Sequence, residues 1–309
     1  MIGERHLDRR HVLRGLAVLG AGGLIGAAAV PASASPTART RYAPADWMSG
    51  VDSGTTVDDL TIPGSHNSCA VIGGPFDTAK CQDLSLPELL DNGIRFIDIR
   101  CRLIDGGFTI HHGPIYQEKN FTDVLTDCRG FFDANPSETV IMSIQQEYSE
   151  APAEEWAAVF NDRYLRDEGF AAMFYRDNRL PTVGEVRGRV VLIANQDHIG
   201  GIPASNTDLL SYQNDWEAPV DEKWELIRSH LDAAETEAPN GTKLFVNYSS
   251  TTAGATIPNP RDYAEQLNPK TKSHVDAAQA RHPHLGAVVM DFAGSAEPRL
   301  VDSLIACNG

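Results

Sequence analysis

Seven short apolar runs recur between residues 59 and 291, and the intervals between them carry helical spacing. The runs are 59–63, 95–103, 109–112, 140–145, 190–195, 244–247 and 287–291. Such alternation is satisfied by a parallel sheet with helices packed outside it. Val124, Leu125, Phe131 and Phe132 recur at helical spacing, as do Trp224, Ile227 and Leu231, and Asn135-Pro136-Ser137 stops one helix before the next strand. No repeat and no low-complexity linker divides the chain. With 309 residues, 42% of them apolar, it can bury the core of a single α/β barrel-like domain.

One strand breaks the usual pattern. In Phe96-Ile97-Asp98-Ile99-Arg100-Cys101-Arg102-Leu103, a period of two puts Ile97, Ile99, Cys101 and Leu103 on one face and Asp98, Arg100 and Arg102 on the other. The second face would point into a barrel normally filled by branched apolar side chains, so those charges need partners or a function. Other runs end on polar residues too. His66 follows Thr61-Ile62-Pro63-Gly64-Ser65, with Pro63 and Gly64 expected to shape the turn. His111-His112 closes Phe108-Thr109-Ile110, and Asp291 closes Val288-Val289-Met290. The carboxyl ends of barrel strands form the active-site face, so repeated polar endings point to catalysis. His66 and His112 with Arg100 between them supply a base, an acid and a fixed cation. That set suits cleavage of a phosphodiester by a neighbouring hydroxyl. His111 and His112 are adjacent on a strand, so only one faces the interior.

The first 34 residues read as an export signal. Arg9-Arg10 precede a mild Gly/Ala-rich stretch, Gly15 to Val30, and Ala32-Ser33-Ala34 fits a cleavage site, so a secreted enzyme starting near Ser35 and exported by a twin-arginine route is expected. The remaining chain, 35–309, carries 22 basic against 40 acidic residues, a formal charge of −18, which excludes a phosphate-backbone binder. No apolar run outside the signal is long enough to span a bilayer. Export permits disulfides, and the short segments between Cys69 and Cys81 and between Cys101 and Cys128 make those two pairings the expected ones, with Cys307 left over.

Four ordered blocks resemble bacterial phosphatidylinositol-specific phospholipase C: Ile62-Pro63-Gly64-Ser65-His66, Asp98-Ile99-Arg100, His111-His112-Gly113-Pro114, and Asn135-Pro136-Ser137-Glu138-Thr139 with Met142-Ser143. The similarity continues through Asp221-Glu222-Lys223 to Asp291. It implies a distorted, incompletely closed (β/α) barrel of the TIM type. It also implies a lyase that releases diacylglycerol and forms a cyclic inositol phosphate without an obligatory metal. Position by position, His66 becomes the general base oriented by Asp291, His112 the general acid, Arg100 the phosphate clamp, Asp98 a further polar group of the site, and His111 a supporting neighbour.

Departures from the family pattern fall within the site. Asn67 stands where an acid usually follows the first histidine, leaving His112 without its carboxylate and with a lowered pKa. An active-site lysine falls on Gln145. The groups that hold the inositol ring fall on Asn214, Trp216 and Asn195, so the headgroup is open. Calcium-dependent relatives carry asparagine as a ligand at the position of Asn67, and in a calcium enzyme Asn67 and Asp98 would be the ligands. Arg100, however, occupies the place of an acidic ligand and would repel a cation, so no cofactor is expected. A calcium-assisted phosphodiesterase acting on a glycerophosphodiester or another headgroup is the first alternative, and a non-catalytic binding module the second. The expected partner is phospholipid at a membrane surface, touched peripherally by a monomer; Ile257 and Pro258 are candidate contacts.

Overall fold

In the computed structural model, residues 43–148, 150–237, 242–294 and 299–309 are described, and they belong to one compact unit. Residues 1–34, expected to be an export signal, lie outside them. The strands in chain order are β1 (Thr61–Ser65), β2 (Phe96–Ile104), β3 (Gly107–His112), β4 (Ile115–Asn120), β5 (Thr139–Gln146), β6 (Phe174–Tyr175), β7 (Arg189–Ala194), β8 (Ile202–Pro203), β9 (Leu210–Gln213), β10 (Leu244–Tyr248) and β11 (Gly286–Met290). The order β6-β7-β5-β2-β1-β11-β10-β9 is parallel throughout. Among the described residues, no ladder joins β9 to β6, so the barrel is incompletely closed.

Helices Leu86–Asp91, Phe121–Ala134, Val220–Glu237 and Pro260–Ala278 intervene between these strands, and Leu300–Ile305 follows the last of them. Capping follows local chemistry: Ser85 and Glu88 form a reciprocal capping box before the first of these helices, and Asn120 with Asp123 does the same before the second.

The sheet separates two cores. Ile97, Ile99 and Cys101 pack with Val124, Leu125, Cys128 and Phe131 on the helix side. Phe96, Ile62, Ile141, Val191, Val246 and Val289 fill the barrel interior. Phe96 has the parity of Asp98 and Arg100, so the inward face of β2 is apolar at its start and ionic at its end. Its neighbour β5 keeps step, with Phe96 opposite Ile141, Asp98 opposite Ser143, and Arg100 opposite Gln145. The apolar layer closes the base of the barrel and the polar layer opens at its carboxyl end.

Beneath that apolar layer, Arg95 and Glu138 form a fully buried ion pair at 2.7 Å. The guanidinium also donates to the carbonyls of Leu90, Ile94 and Ala45. These bonds answer a charge that would otherwise be costly inside the protein.

Three expectations are corrected. First, Pro63 and Gly64 lie inside β1 rather than in a turn. Pro63 lacks an N–H, and its carbonyl accepts from the Arg95 amide. A Cβ on Gly64 would come within 3.1 Å of Phe96 Cβ and Val289 Cγ2. Second, β3 is not a barrel strand. It turns back antiparallel on β2 through Asp105 and Gly106, both at positive φ, and β4 pairs with it in turn. Third, Cys69, Cys81, Cys101, Cys128 and Cys307 are all free and buried. Cys101 faces the helix-side core that also holds Cys128 and Cys69, whereas Cys81 lines the cleft. The Cys69–Cys81 partners therefore belong to different environments, and burial pushes the Cys128 thiol above its ordinary value.

Candidate active site

At the carboxyl end of the barrel, a cleft of about 430 Å³ is lined by His66, Arg100, His112 and Asp291 together with Cys81, Gln145, Asn214 and Trp216. Each side chain arrives by a different route. His66 and Asp291 are the residues just past β1 and β11, which pair directly, with Ser65 opposite Met290. Buried Gln82 fastens these strand ends. Its side-chain nitrogen donates to the carbonyls of His66 and Met290, and its oxygen accepts from the Ala293 amide. Held in this way, His66 Nδ1 lies 2.7 Å from Asp291 Oδ1. A carboxylate there selects the tautomer with the proton on Nδ1 and leaves the Nε2 lone pair to the cleft. Tyr248 meets the His66 ring edge to face at 6.1 Å.

Arg100 reaches the cleft from the ionic end of β2. Its Nε and terminal nitrogens donate to Asp98 Oδ2 at 3.2 and 3.1 Å, and another terminal nitrogen lies 3.6 Å from Glu147 Oε2. The same guanidinium donates to His66 Nε2 at 2.9 Å. Asp98 is buried beneath it and also accepts from the Asn67 amide at 3.1 Å. Arg100 thus remains charged, its pKa lifted against the effect of burial by Asp98 and then Glu147.

His112 comes from the β3 excursion, which folds over the carboxyl end of the barrel. Its ring stands 6.4 Å from that of His66, nearly perpendicular to it. Nδ1 donates to the Ala79 carbonyl at 2.9 Å and lies 3.6 Å from Cys81 Sγ, so Nε2 is the nitrogen left for the cleft. Burial lowers the pKa of His112; the Ala79 bond opposes this, while His66 and Arg100 add to it. His111 points the other way, buried beside Thr109 and the Tyr116 ring.

The remaining predicted positions divide. Gln145, Asn214 and Trp216 line the cleft, and Asp98 supports it from behind. Asn67 and Asn195 are not among its lining residues. Asn67 is buried at φ 45°, and its side-chain nitrogen has no partner, so it is Ala79 and Cys81, not Asn67, that meet His112 Nδ1. Asn195 donates to Ser143 Oγ at 2.9 Å, behind the polar layer. Arg102 lies over the Tyr148 ring, away from the catalytic cluster.

Sequence reasoning missed Glu147, Gln82, Cys81 and Lys223. Glu147 ties Arg100 to the turn after His112, accepting from the Gly113 amide at 2.6 Å. Its place two residues past Gln145, on the inward parity of β5, was a readable signal. Lys223 is fully buried and donates to Gln213 Oε1 and the Asp215 carbonyl, supporting the segment that presents Asn214 and Trp216.

A calcium ion does not fit the proposed ligand pair. Asp98 Oδ2 already accepts from Arg100 twice and from the Asn67 amide, and a divalent cation there would face the guanidinium directly.

Comparison with known proteins bears on the family and the fold. Residues 58–196 match the family model for the phosphatidylinositol-specific phospholipase C, X domain. The chain is 28% identical over 285 residues to a 1-phosphatidylinositol phosphodiesterase of Staphylococcus aureus, covering 82% of this chain and 90% of that one. It is also 28% identical over 264 residues to the enzyme of that name from Listeria monocytogenes, covering 80% of each. A crystal structure of the S. aureus phosphatidylinositol-specific phospholipase C superposes with a TM-score of 0.78 at 26% identity, over 86% of this chain and 98% of that one.

Proposed function

Because the chain belongs to the bacterial phosphatidylinositol-specific phospholipase C family, we propose that it cleaves phosphatidylinositol to diacylglycerol and inositol 1,2-cyclic phosphate. The observation that carries the reading is the pair of imidazoles 6.4 Å apart, one fixed by a carboxylate and the other by a carbonyl, with Arg100 against the first. His66 Nε2 takes the proton of the inositol 2-hydroxyl as its oxygen attacks phosphorus. His112 Nε2 gives a proton to the glycerol oxygen as the bond from phosphorus to that oxygen breaks. Arg100, released from His66 Nε2 by the incoming phosphate, holds the non-bridging oxygens and the charge that develops on them.

The neutral side chains of Gln145, Asn214 and Thr252 on the cleft wall suit an uncharged polyol ring. Trp216, 54% exposed on the cleft rim, with Ile257 and Phe76 at 60% and 82%, gives the surface an apolar edge with which to meet a lipid interface from outside. Among the described residues no helix is long and apolar enough to cross a membrane. Export of the enzyme belongs to the same reading, resting on the sequence of residues 1–34.

Turnover of phosphatidylinositol vesicles in EDTA is the test. Undiminished release of diacylglycerol and cyclic phosphate is expected. Activity that vanishes in EDTA and returns with calcium would replace this chemistry with a metal-assisted one.

A further inference from the structure

We propose that Cys81, His66 and Asp291 form a binding site for a thiophilic divalent cation, of which Zn²⁺ is the type, and that occupancy shuts the enzyme off. One donor atom from each residue, a sulfur, an imidazole nitrogen and a carboxylate oxygen, lies within 4.8 Å of the others. Cys81 and Asp291 are buried and His66 is partly so, yet all three line the open cleft, so an ion can enter as substrate does. Zinc takes just such mixed sulfur, nitrogen and oxygen sets, and its tetrahedral ligands stand about 3.3 to 3.6 Å apart. The Nδ1 to Oδ1 separation of 2.7 Å would open by roughly half an ångström to admit the ion. The fourth position is left to water from the cleft, because the nearby His112 Nδ1 holds its proton on the Ala79 carbonyl.

Charge and protons balance. Thiolate and carboxylate together neutralise the ion. Arg100 sits across the imidazole, on Nε2, with its own charge answered by Asp98 and Glu147. Binding sends the thiol proton to solvent and moves the imidazole proton from Nδ1 to Nε2 by exchange with solvent. That nitrogen then carries a hydrogen, cannot accept the proton of an attacking hydroxyl, and turns a donor toward Arg100, which must withdraw onto Asp98 and Glu147. The ion is therefore an inhibitor rather than a cofactor.

Inhibition rests on the catalytic reading above, whereas binding does not, so the two are measured separately. Equilibrium dialysis of the full chain against Zn²⁺, and titration with Cd²⁺ while recording the thiolate-to-metal charge-transfer band in the ultraviolet, report binding. Phosphatidylinositol turnover with and without Zn²⁺, restored by chelator, reports inhibition. The expected result is one chelator-reversible ion per chain with a thiolate band, and at least about tenfold weaker binding in both Cys81→Ser and Cys81→Ala, each checked for native circular dichroism. Equal affinity in wild type and in either folded variant, or binding without a thiolate band, would overturn the site. Binding as described with turnover unaffected would overturn the inhibitory role.

Discussion

Replacing Asp291 by asparagine keeps the shape of the side chain and removes its charge. The carboxylate is 4% exposed and lies 2.7 Å from His66 Nδ1, so solvent does little to screen the pair. A hydrogen bond to a charged group is worth about 1.5 to 3 kcal/mol, and each 1.36 kcal/mol is a factor of ten in rate, so loss of charge alone costs roughly ten- to a hundredfold. An amide can also present its nitrogen to Nδ1. That orientation forces the proton onto Nε2, which lies 2.9 Å from a donor on Arg100, and removes the base from the population. Together the two effects lower kcat on the order of two to three decades. The fold should tolerate the change, because the Asp291 carbonyl still accepts from Asn268 and Gln82 still clamps the strand ends. Single-turnover cleavage of phosphatidylinositol in mixed micelles, with thermal unfolding measured alongside, is the assay. A loss of less than about threefold, in a variant that melts like wild type, would show that the His66–Asp291 pair does not organise the base.

His112→Ala should lower turnover by at least about two orders of magnitude, while His111→Ala costs far less; the reverse ranking would place the wrong histidine in the cleft. Because burial lowers the pKa of His112, its acid form is lost early as pH rises, and kcat/KM should fall on the alkaline side below the ordinary histidine value. Glu138→Ala strands the buried Arg95 charge and should cost about 3 to 5 kcal/mol in urea unfolding, with kcat retained in the folded fraction. Burial holds Lys223 down at about 8 against an ordinary 10.5. The unfolded chain therefore binds more protons between those values, and stability gains from Lys223 as pH rises through that window, with the cost fully present below about 8. Lys223→Met should flatten that part of the urea-midpoint profile; an unchanged slope would refute the assignment.

The six strands that carry the barrel wall from β7 to β10 were legible because each contains or adjoins a short apolar run, continuous in β7 and β11 and alternating with charge in β2. β6, β8 and β9 were not, being two to four residues whose pairing is set by neighbours rather than by their own pattern. The misreading of β3 had a local remedy. Asp105-Gly106 between Ile104 and Gly107 is a two-residue hairpin signal, and both residues adopt the positive φ that such a turn requires. His66, Arg100, His112 and Asp291 could be read as polar endings on apolar runs. Gln82 and Cys81 could not, because they reach the cleft from a loop with no periodicity. The Cys69–Cys81 pairing failed for a related reason: spacing along the chain says nothing about which environment a thiol faces, the helix-side core for Cys69 and the cleft for Cys81.

The β2–β3 turn gives this enzyme an unusual mutational profile. His111 and His112 occupy opposite faces of one strand, and the register of β3 on β2, from Ile104 opposite Gly107 to Cys101 opposite Ile110, decides which of them meets the substrate. One residue inserted between Asp105 and Gly106 would slide the strand by a single step and exchange the two imidazoles, sending the proton donor to the outer face and bringing its silent twin inward. Length variation should therefore be scarce at this distant surface loop among active descendants of the sequence, while changes of residue type that keep two positions and a positive φ pass freely. The loop acts as a ruler, and selection on it reads count before chemistry.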